Sequence, residues 1–180
     1  SARHQRQRRA PPEVSERTFH LAQLNVARLA APLDSPQLAE FVAALDPINA
    51  LADGAPGFVW RLQTDAGDAT SLHVWDDERM IVNMSVWESI DALREFVYRG
   101  DHVQVMRRRR EWFQKMTHAF TVLWWIAADQ VPTVEQATAR LAQLEELGPT
   151  PGAFTFRELF LPPGQDAGRR DDDRWACEVG

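Results

Sequence analysis

The chain has 180 residues, of which 44% are hydrophobic, and a formal net charge of −6 at pH 7. This length and composition suit one folded domain with a sizeable core and exclude global disorder. No apolar run approaches the roughly 20 residues that a membrane helix needs. A single cysteine, Cys177, excludes an internal disulfide and a thiolate metal cluster. The basic start of the chain has no apolar stretch of the kind found in secretory signals. We therefore expect a cytoplasmic protein that has no membrane partner.

Charge is unevenly distributed between the two ends of the chain. Four arginines lie within the first nine residues, and Asp171, Asp172 and Asp173 make the other end acidic. We predict that residues 1–17 and 162–180 are disordered tails around one domain that spans residues 18–161. A basic arm can contact nucleic acid, but this arm lacks interleaved aromatic residues and the body is acidic. A solubilising tail is therefore the favoured interpretation, and no nucleic-acid partner is expected.

The pattern of apolar residues predicts four main strands and several helices. Strands are predicted at residues 19–27, 58–63, 80–87 and 119–127, with alternation in the first and third of them, and a shorter local strand at 72–75. Helical spacing covers residues 35–51, 89–99, 102–116 and 133–147, and residues 154–161 are expected to be extended. Ser89 is the predicted N-cap of the second helix. Pro47 lies inside the first helical pattern, so we expect a kink there or a break into two short helices.

The main elements follow the order β-α-β-β-α-β, which predicts an α+β protein of the ferredoxin-like, split βαβ plan. Such a domain has a four-stranded antiparallel sheet with its helices on one face. The other face then needs a partner. The strand at 119–126 is apolar on both faces, since Val122 and Trp124 point one way and Leu123 and Trp125 the other. We therefore expect a homodimer in which two sheets face each other and form a dimeric α/β barrel.

Polar side chains on two of the predicted strands mark a candidate site. Asn83 and Ser85 share one face of the third strand, and Gln23 and Asn25 share one face of the first. The first and third strands are central neighbours in this plan, so these side chains should converge. Amide and hydroxyl groups there would hold a substrate carbonyl or stabilise an enolate or peroxide. The alternative is that these polar groups only satisfy one another.

The aromatic and titratable candidates each have two interpretations. We expect Trp60 and Trp87 to lie over the polar residues and to line a flat ligand's pocket, although most tryptophans pack in cores. His102 is a candidate general acid or base, or a histidine that caps a helix. Arg109 would hold an anionic substrate group or lie in solvent, and Tyr98 would donate a proton or pack between helices. Histidines show no HxH or HxxxH spacing, so we predict no metal and no cofactor.

Several longer motifs resemble the bacterial family of unknown function called DUF3291. They are HLAQLN at 20–25, NALAD at 49–53, PGFVWRL at 56–62, VNMSVWE at 82–88, FVYR at 96–99 with His102, RRRREWF at 107–113, LWW at 123–125 and GPT at 148–150. The resemblance runs from about His20 to Phe160. It implies a dimeric α/β barrel, a fold shared with cofactor-free antibiotic-biosynthesis monooxygenases, haem-degrading enzymes, isomerases and polyketide cyclases.

The resemblance leaves three functions open. The first is an enzyme, a cofactor-independent monooxygenase, cyclase or isomerase, that acts on an aromatic or polycyclic enolisable metabolite. The second is a non-catalytic protein that binds an aromatic metabolite or haem. The third is a scaffold whose pocket is only core. Several haem-degrading relatives bind iron through a histidine near the end of the second helix. The corresponding place here falls near Arg107, which argues against haem by that route.

Overall fold

The computed structural model describes residues 17–63, 76–99, 107–116 and 120–165. Four strands form one antiparallel sheet in the order β2-β3-β1-β4: β1 (Phe19–Arg28), β2 (Phe58–Arg61), β3 (Met80–Trp87) and β4 (Thr121–Ala127). The helices within the described residues are α1 (Ala39–Asp53), α2 (Ile90–Tyr98), α3 (Arg109–Trp112) and α4 (Val134–Leu147). A short 3-10 turn, Pro36–Leu38, precedes α1. This order of elements and strands confirms the predicted α+β, ferredoxin-like plan.

The register of the two central strands decides which side chains share a face. In β1 and β3, Gln23 lies opposite Ser85 and Asn25 opposite Asn83. Because successive side chains alternate between faces, the odd-numbered residues of β1, β3 and β4 lie on one face and the even-numbered residues on the other. These are called the odd face and the even face below.

The odd face carries two apolar clusters at opposite ends of the strands. The first cluster consists of Leu21, Trp87, Leu93, Leu123 and Phe154, and therefore includes α2. The second cluster consists of Leu29, Leu38, Phe41 and Trp112, with Ile81 packed against it, and therefore includes α1 and α3. The middle of the odd face lies between these two clusters.

The even face is buried within the single chain. Val82, Met84 and Val86 retain 4% exposure or less, and α4 packs on this face. The α4 residues in this cluster are Ala137, Leu141 and Leu144. The sequence argument had left this face uncovered and available to a second copy. That premise is wrong, because α4, an addition to the four-strand plan, covers the even face. The homodimer therefore stays a prediction, and an uncovered even face no longer supports it.

Two helix boundaries differ from those predicted. Helix α1 continues through Pro47 as one helix, so the predicted break into two short helices does not occur there. Phe41 and Ala52, on either side of Pro47, are buried and hold both halves of the helix. Helix α3 ends at Trp112 rather than near Met116. Phe113 is already extended and bridges to Leu29, which stops the helix.

Other local predictions agree with the structure. Ser89 caps α2, its Oγ accepting a hydrogen bond of 3.1 Å from the Ala92 amide. The extended segment after α4 pairs with the outer edge of β4, since the backbones of Phe154 and Leu123 exchange hydrogen bonds of 2.9 and 2.8 Å. Several predictions lie outside the described residues. They are most of the two tails, the local strand at 72–75, the helix break at 100–101 and His102.

Candidate functional site

A band of polar residues crosses the middle of the odd face, between the two apolar clusters. We call it the polar strip, and it consists of Gln23, Asn25, Arg61, Asn83, Ser85 and Thr121. The strand pairing arranges these residues in two rows. One row runs Arg61, Ser85, Gln23, and the other runs Asn83, Asn25, Thr121. Neighbouring strands lie about 4.8 Å apart, so side chains within a row are within contact distance.

The first row contains a buried chain of hydrogen bonds. The indole Nε1 of Trp87 donates to Ser85 Oγ at 2.9 Å, and Ser85 Oγ donates to Gln23 Oε1 at 2.9 Å. All three residues are less than 9% exposed. Ser85 and Gln23 thus satisfy one another, as one of the two interpretations expected. The amide NH2 of Gln23 makes no hydrogen bond to the described residues, so it remains a donor for a ligand.

The second row is more open to solvent. Asn25 Nδ2 donates to Thr121 Oγ1 at 2.7 Å, which fixes the Asn25 amide and leaves its carbonyl oxygen as an acceptor. Asn83, directly opposite Asn25, is exposed and makes no hydrogen bond within the described part of the chain. The row therefore presents both a donor and an acceptor to solvent.

Arg61 brings a positive charge to the strip, and sequence reasoning missed it. The strand pairing shifts between Phe58 and Trp60, so Trp60 pairs with Val86 and Arg61 with Ser85. A regular strand would place Trp60 on the same face as Phe58. The bulge reverses that assignment and puts Trp60 in the cluster on the even face. The expectation that Trp60 lies over the polar residues is therefore wrong, and no spacing rule signals the bulge.

An ion pair fixes the guanidinium of Arg61. Its Nε lies 2.7 Å from Asp53 Oδ1 and its Nη2 lies 3.2 Å from Asp53 Oδ2. Asp53 is the last residue of α1, so the pair ties the end of that helix to β2. A two-point contact of this kind sets both the position and the plane of the guanidinium.

Aromatic side chains bound the strip at both ends. Trp87, next to Ser85 along β3, stacks on Phe96 with ring centroids 5.1 Å apart and meets the edge of Phe58 at 5.4 Å. At the other end, Phe41 packs against Trp112 with centroids 5.7 Å apart. Trp87 therefore does border the polar residues, as expected, but it is 1% exposed and acts there as a packed wall.

The structure places two other candidate residues away from the strip. Arg109 is exposed, with its guanidinium 5.7 Å from the centre of the Phe120 ring. This exposure and the contact with Phe120 place Arg109 in solvent rather than in the strip. Tyr98, at the end of α2, is 60% exposed and meets the edge of the Phe156 ring at 5.8 Å. Phe156 lies in the extended segment after α4, so the contact is not one between helices, and the predicted packing of Tyr98 between helices is not seen in the described residues.

A depression of about 430 Å³ lies elsewhere, between α2 and the turn before β2. Its charged side chains include Glu95 and Arg99, which pair with each other at 3.3 Å. It is lined by Ala55, Pro56, Gly57, Glu88, Ala92, Glu95, Phe96 and Arg99. None of these residues belongs to the polar strip, and the depression is wide open to solvent. The strip is the stronger candidate site, because all of its polar groups except Asn83 are held by hydrogen bonds and they lie in two adjacent rows.

Charged groups with shifted pKa values lie outside the strip. Hydrogen bonding from Arg28 holds the pKa of Asp77 below its usual value, and hydrogen bonding from Arg108 does the same for Glu111. Within the described residues, no three His, Cys, Asp or Glu side chains converge as a metal site would require. No helix in the described ranges is long and apolar enough to cross a membrane.

Comparison with protein families agrees with the resemblance in the sequence motifs. The family described as a domain of unknown function, DUF3291, matches residues 20–170. The chain belongs to the DUF3291 family. The matched region contains every residue of the polar strip. None of the curated proteins matches this DUF3291 chain.

Several solved structures are similar to this DUF3291 domain. SnoaB, a cofactor-independent oxygenase from Streptomyces nogalater, is 20% identical, with a TM-score of 0.42, and the match covers 62% of this chain and 95% of SnoaB. A conserved protein from Methanosarcina mazei Go1 is 8% identical, with a TM-score of 0.44, over 61% of this chain and 93% of that protein. Rv0793 from Mycobacterium tuberculosis is 13% identical, with a TM-score of 0.43, over 63% and 99% respectively. The fold assignment rests on the strand order described above.

Proposed function

We propose that the polar strip binds an aromatic or polycyclic small molecule with an enolisable carbonyl. In this proposal the chain catalyses a cofactor-independent oxygenation, cyclisation or isomerisation of that molecule. The observation that carries the proposal is the exposed amide of Asn83 beside the buried chain Trp87–Ser85–Gln23. The Asn83 amide is thus open to a ligand, and the side chains next to it are already fixed by hydrogen bonds inside the protein.

The chemistry of the strip suits a developing oxyanion. Amide N–H groups stabilise an enolate oxygen most when they are oriented before the reaction begins. Gln23 is held by Ser85 and Asn25 by Thr121, so both amides are oriented by bonds inside the protein. The packed aromatic clusters at both ends of the strip would limit the length of a flat ring system that lies along it. These residues come from one chain, so the proposed site does not require a second copy.

A specific observation favours a second candidate function, non-catalytic binding of an aromatic metabolite. The six side chains of the strip include no group that titrates near neutral pH. The strip therefore supplies oxyanion stabilisation but no proton acceptor, and it suits substrates that lose a proton readily. Haem is a less favoured ligand, since the strip offers no imidazole. His20, the histidine that the structure describes, lies on the even face opposite Ile126.

Anthrone, a three-ring ketone with an enolisable CH2 group, provides a test. Its oxidation by dioxygen gives anthraquinone and water, so oxygen consumption and quinone absorbance should rise in equal amounts when the protein is added. Asn83→Ala should lower kcat/KM by about 5- to 150-fold, the equivalent of about 1–3 kcal/mol for one hydrogen bond. Gln130→Ala, which removes an exposed amide in the turn after β4, is the matched control and should have no effect.

The same experiment separates the two functions. Calorimetric binding of 2-naphthol that weakens in Asn83→Ala, without any anthrone turnover, would support the binding protein over the enzyme. Turnover that is unchanged in Asn83→Ala would contradict the proposed role of the strip.

A further inference from the structure

We propose that Gln23 is a specificity-determining residue, because its amide is held so that the strip selects ligands that place a hydrogen-bond acceptor beside its NH2 group. A ketone or enolate oxygen is such an acceptor, whereas an N–H group is not. This inference rests on the proposed function, because it names the kind of polar group that the same site prefers. It makes Ser85 a positioning residue that acts through Gln23.

The polarity of the hydrogen bonds fixes the orientation of the Gln23 amide. An indole N–H can only donate, and a serine hydroxyl has one hydrogen to donate. Trp87 Nε1 donates to Ser85 Oγ, so the Ser85 hydrogen is directed to its other neighbour, Gln23 Oε1, at 2.9 Å. A reversed amide would present its NH2 to the hydroxyl, and the Ser85 hydrogen would lose this acceptor. The oxygen of Gln23 therefore faces Ser85, and the NH2 group is left for another partner.

The NH2 group of Gln23 finds no such partner among the described residues. On its other side Gln23 lies opposite Leu123 of β4, whose side chain has no acceptor. In the described part of the chain, the fully buried side-chain polar atoms without a hydrogen bond are His20 Nδ1 and Ser35 Oγ. Gln23 Nε2 is not one of them, so it keeps access to solvent although Gln23 as a whole is 8% exposed. A ligand can therefore reach one oriented donor at this position.

The burial of Gln23 makes this donor selective. A ligand acceptor would pair with the NH2 group, whereas a ligand N–H in the same place would leave two donors without partners. A site built around a buried hydrogen-bonding group discriminates strongly against ligands that cannot pair with it. The amide cannot turn over to suit such a ligand without breaking its hydrogen bond from Ser85.

Two bicyclic probes of similar size test this preference. 1-Indanone carries a ketone oxygen and no N–H or O–H donor, and indole carries an N–H donor and no carbonyl. Calorimetric titration of the full chain should show tighter binding of 1-indanone. Gln23→Met, which keeps the length of the side chain but removes the amide, should weaken 1-indanone binding by on the order of tenfold and should not weaken indole binding.

Gln143→Met is the matched control for this variant. Gln143 is a half-buried glutamine on α4 that also bonds a hydroxyl, its Nε2 donating to Thr150 Oγ1 at 3.1 Å. Its replacement should leave the preference for 1-indanone intact.

The positioning role of Ser85 has a separate test. Ser85→Ala releases the Gln23 amide, so the preference for 1-indanone should fall. Gln23→Met should then cost less binding in the Ser85→Ala background than in wild type. A purely structural role of Ser85 would make the two effects additive. If these variants fail to fold, 15N-labelled wild type replaces them, and its Gln23 NH2 proton signals should move downfield with 1-indanone but not with indole.

The outcomes also separate this inference from the proposed function. A preference for 1-indanone that persists in Gln23→Met, or no preference in wild type, would overturn the role of Gln23. Binding that still weakens in Asn83→Ala would in that case leave the strip as the site. No binding of either probe, or binding unaffected by both Asn83→Ala and Gln23→Met, would overturn both proposals.

Discussion

Replacing Ser85 by alanine should test the hydrogen-bonded chain on which the polar strip depends. The Ser85 hydroxyl accepts from Trp87 Nε1 and donates to Gln23 Oε1, each at 2.9 Å. Trp87 is 1% exposed, so its indole N–H cannot reach water after the substitution. Gln23 is 8% exposed and can turn its amide partly toward solvent. The variant should therefore leave one buried donor unsatisfied and lose one further hydrogen bond.

The expected loss of stability follows from these two effects. A buried donor without a partner costs about 1–3 kcal/mol, and a typical hydrogen bond contributes about 1 kcal/mol net. Ser85→Ala should thus lower the free energy of unfolding by about 2–4 kcal/mol. For a domain of this size the melting temperature should fall by roughly 5–15 °C.

Urea unfolding followed by circular dichroism would measure this change, with Ser35→Ala as the matched control. The Ser35 hydroxyl is buried and has no hydrogen-bond partner among the described residues, so its removal should cost little stability or even stabilise the domain. The double variant Ser85→Ala/Trp87→Phe removes the stranded donor and should lose less than the sum of the single variants. A Ser85→Ala loss no greater than that of Ser35→Ala would refute the reasoning.

Two further predictions concern a glycine turn and an acid-sensitive ion pair. Gly57→Ala should destabilise the domain more than Gly164→Ala in the same urea assay. Both glycines have positive φ, but an added Cβ at Gly57 would lie 2.6 Å from Ala92 Cβ, whereas at Gly164 it meets nothing within 4 Å. The hydrogen bond from Arg28 to Asp77 lowers the pKa of Asp77 in the folded protein below its usual value of 3.8. The ionised carboxylate therefore stabilises the fold above pH 3.8, and this contribution is lost as the pH falls through the folded-state pKa. Urea unfolding from pH 6 to pH 2.5 should therefore show that wild type and Asp77→Asn differ in free energy of unfolding, and that this difference narrows below about pH 3.8. A difference that stays constant with pH would contradict the prediction.

The strands and their order could be predicted from the sequence because β1 and β3 alternate and β4 is an apolar run of strand length. The strand predicted at 80–87 matches β3, Met80–Trp87, and the strand predicted at 19–27 is one residue shorter than β1. Once the order was known, adjacency of β1 and β3 followed from the plan of the fold. That adjacency brings Asn25 and Asn83 together.

Other features of the fold and the site depend on tertiary contacts that the alternation and spacing of residues do not encode. The bulge between Phe58 and Trp60 exchanges the faces of Trp60 and Arg61, and it adds a cation to the site. The apolar stripe of α4 shows that the helix packs, but it does not show on which face of the sheet. The hydrogen bond between Ser85 and Gln23 is also invisible to the sequence, which permits either mutual satisfaction or ligand binding.

The central claim is that ligands bind at the polar strip, and side-chain amide NMR tests it most directly. In a 15N-labelled sample titrated with 2-naphthol, the side-chain NH2 signals of Asn83 and Gln23 and the indole signal of Trp87 should shift together. Asn83→Ala would assign its own signal by removing it. Shifts confined to Gln130, or to backbone amides around Ala92 in the depression beside α2, with the Asn83 and Gln23 signals unmoved, would contradict the claim.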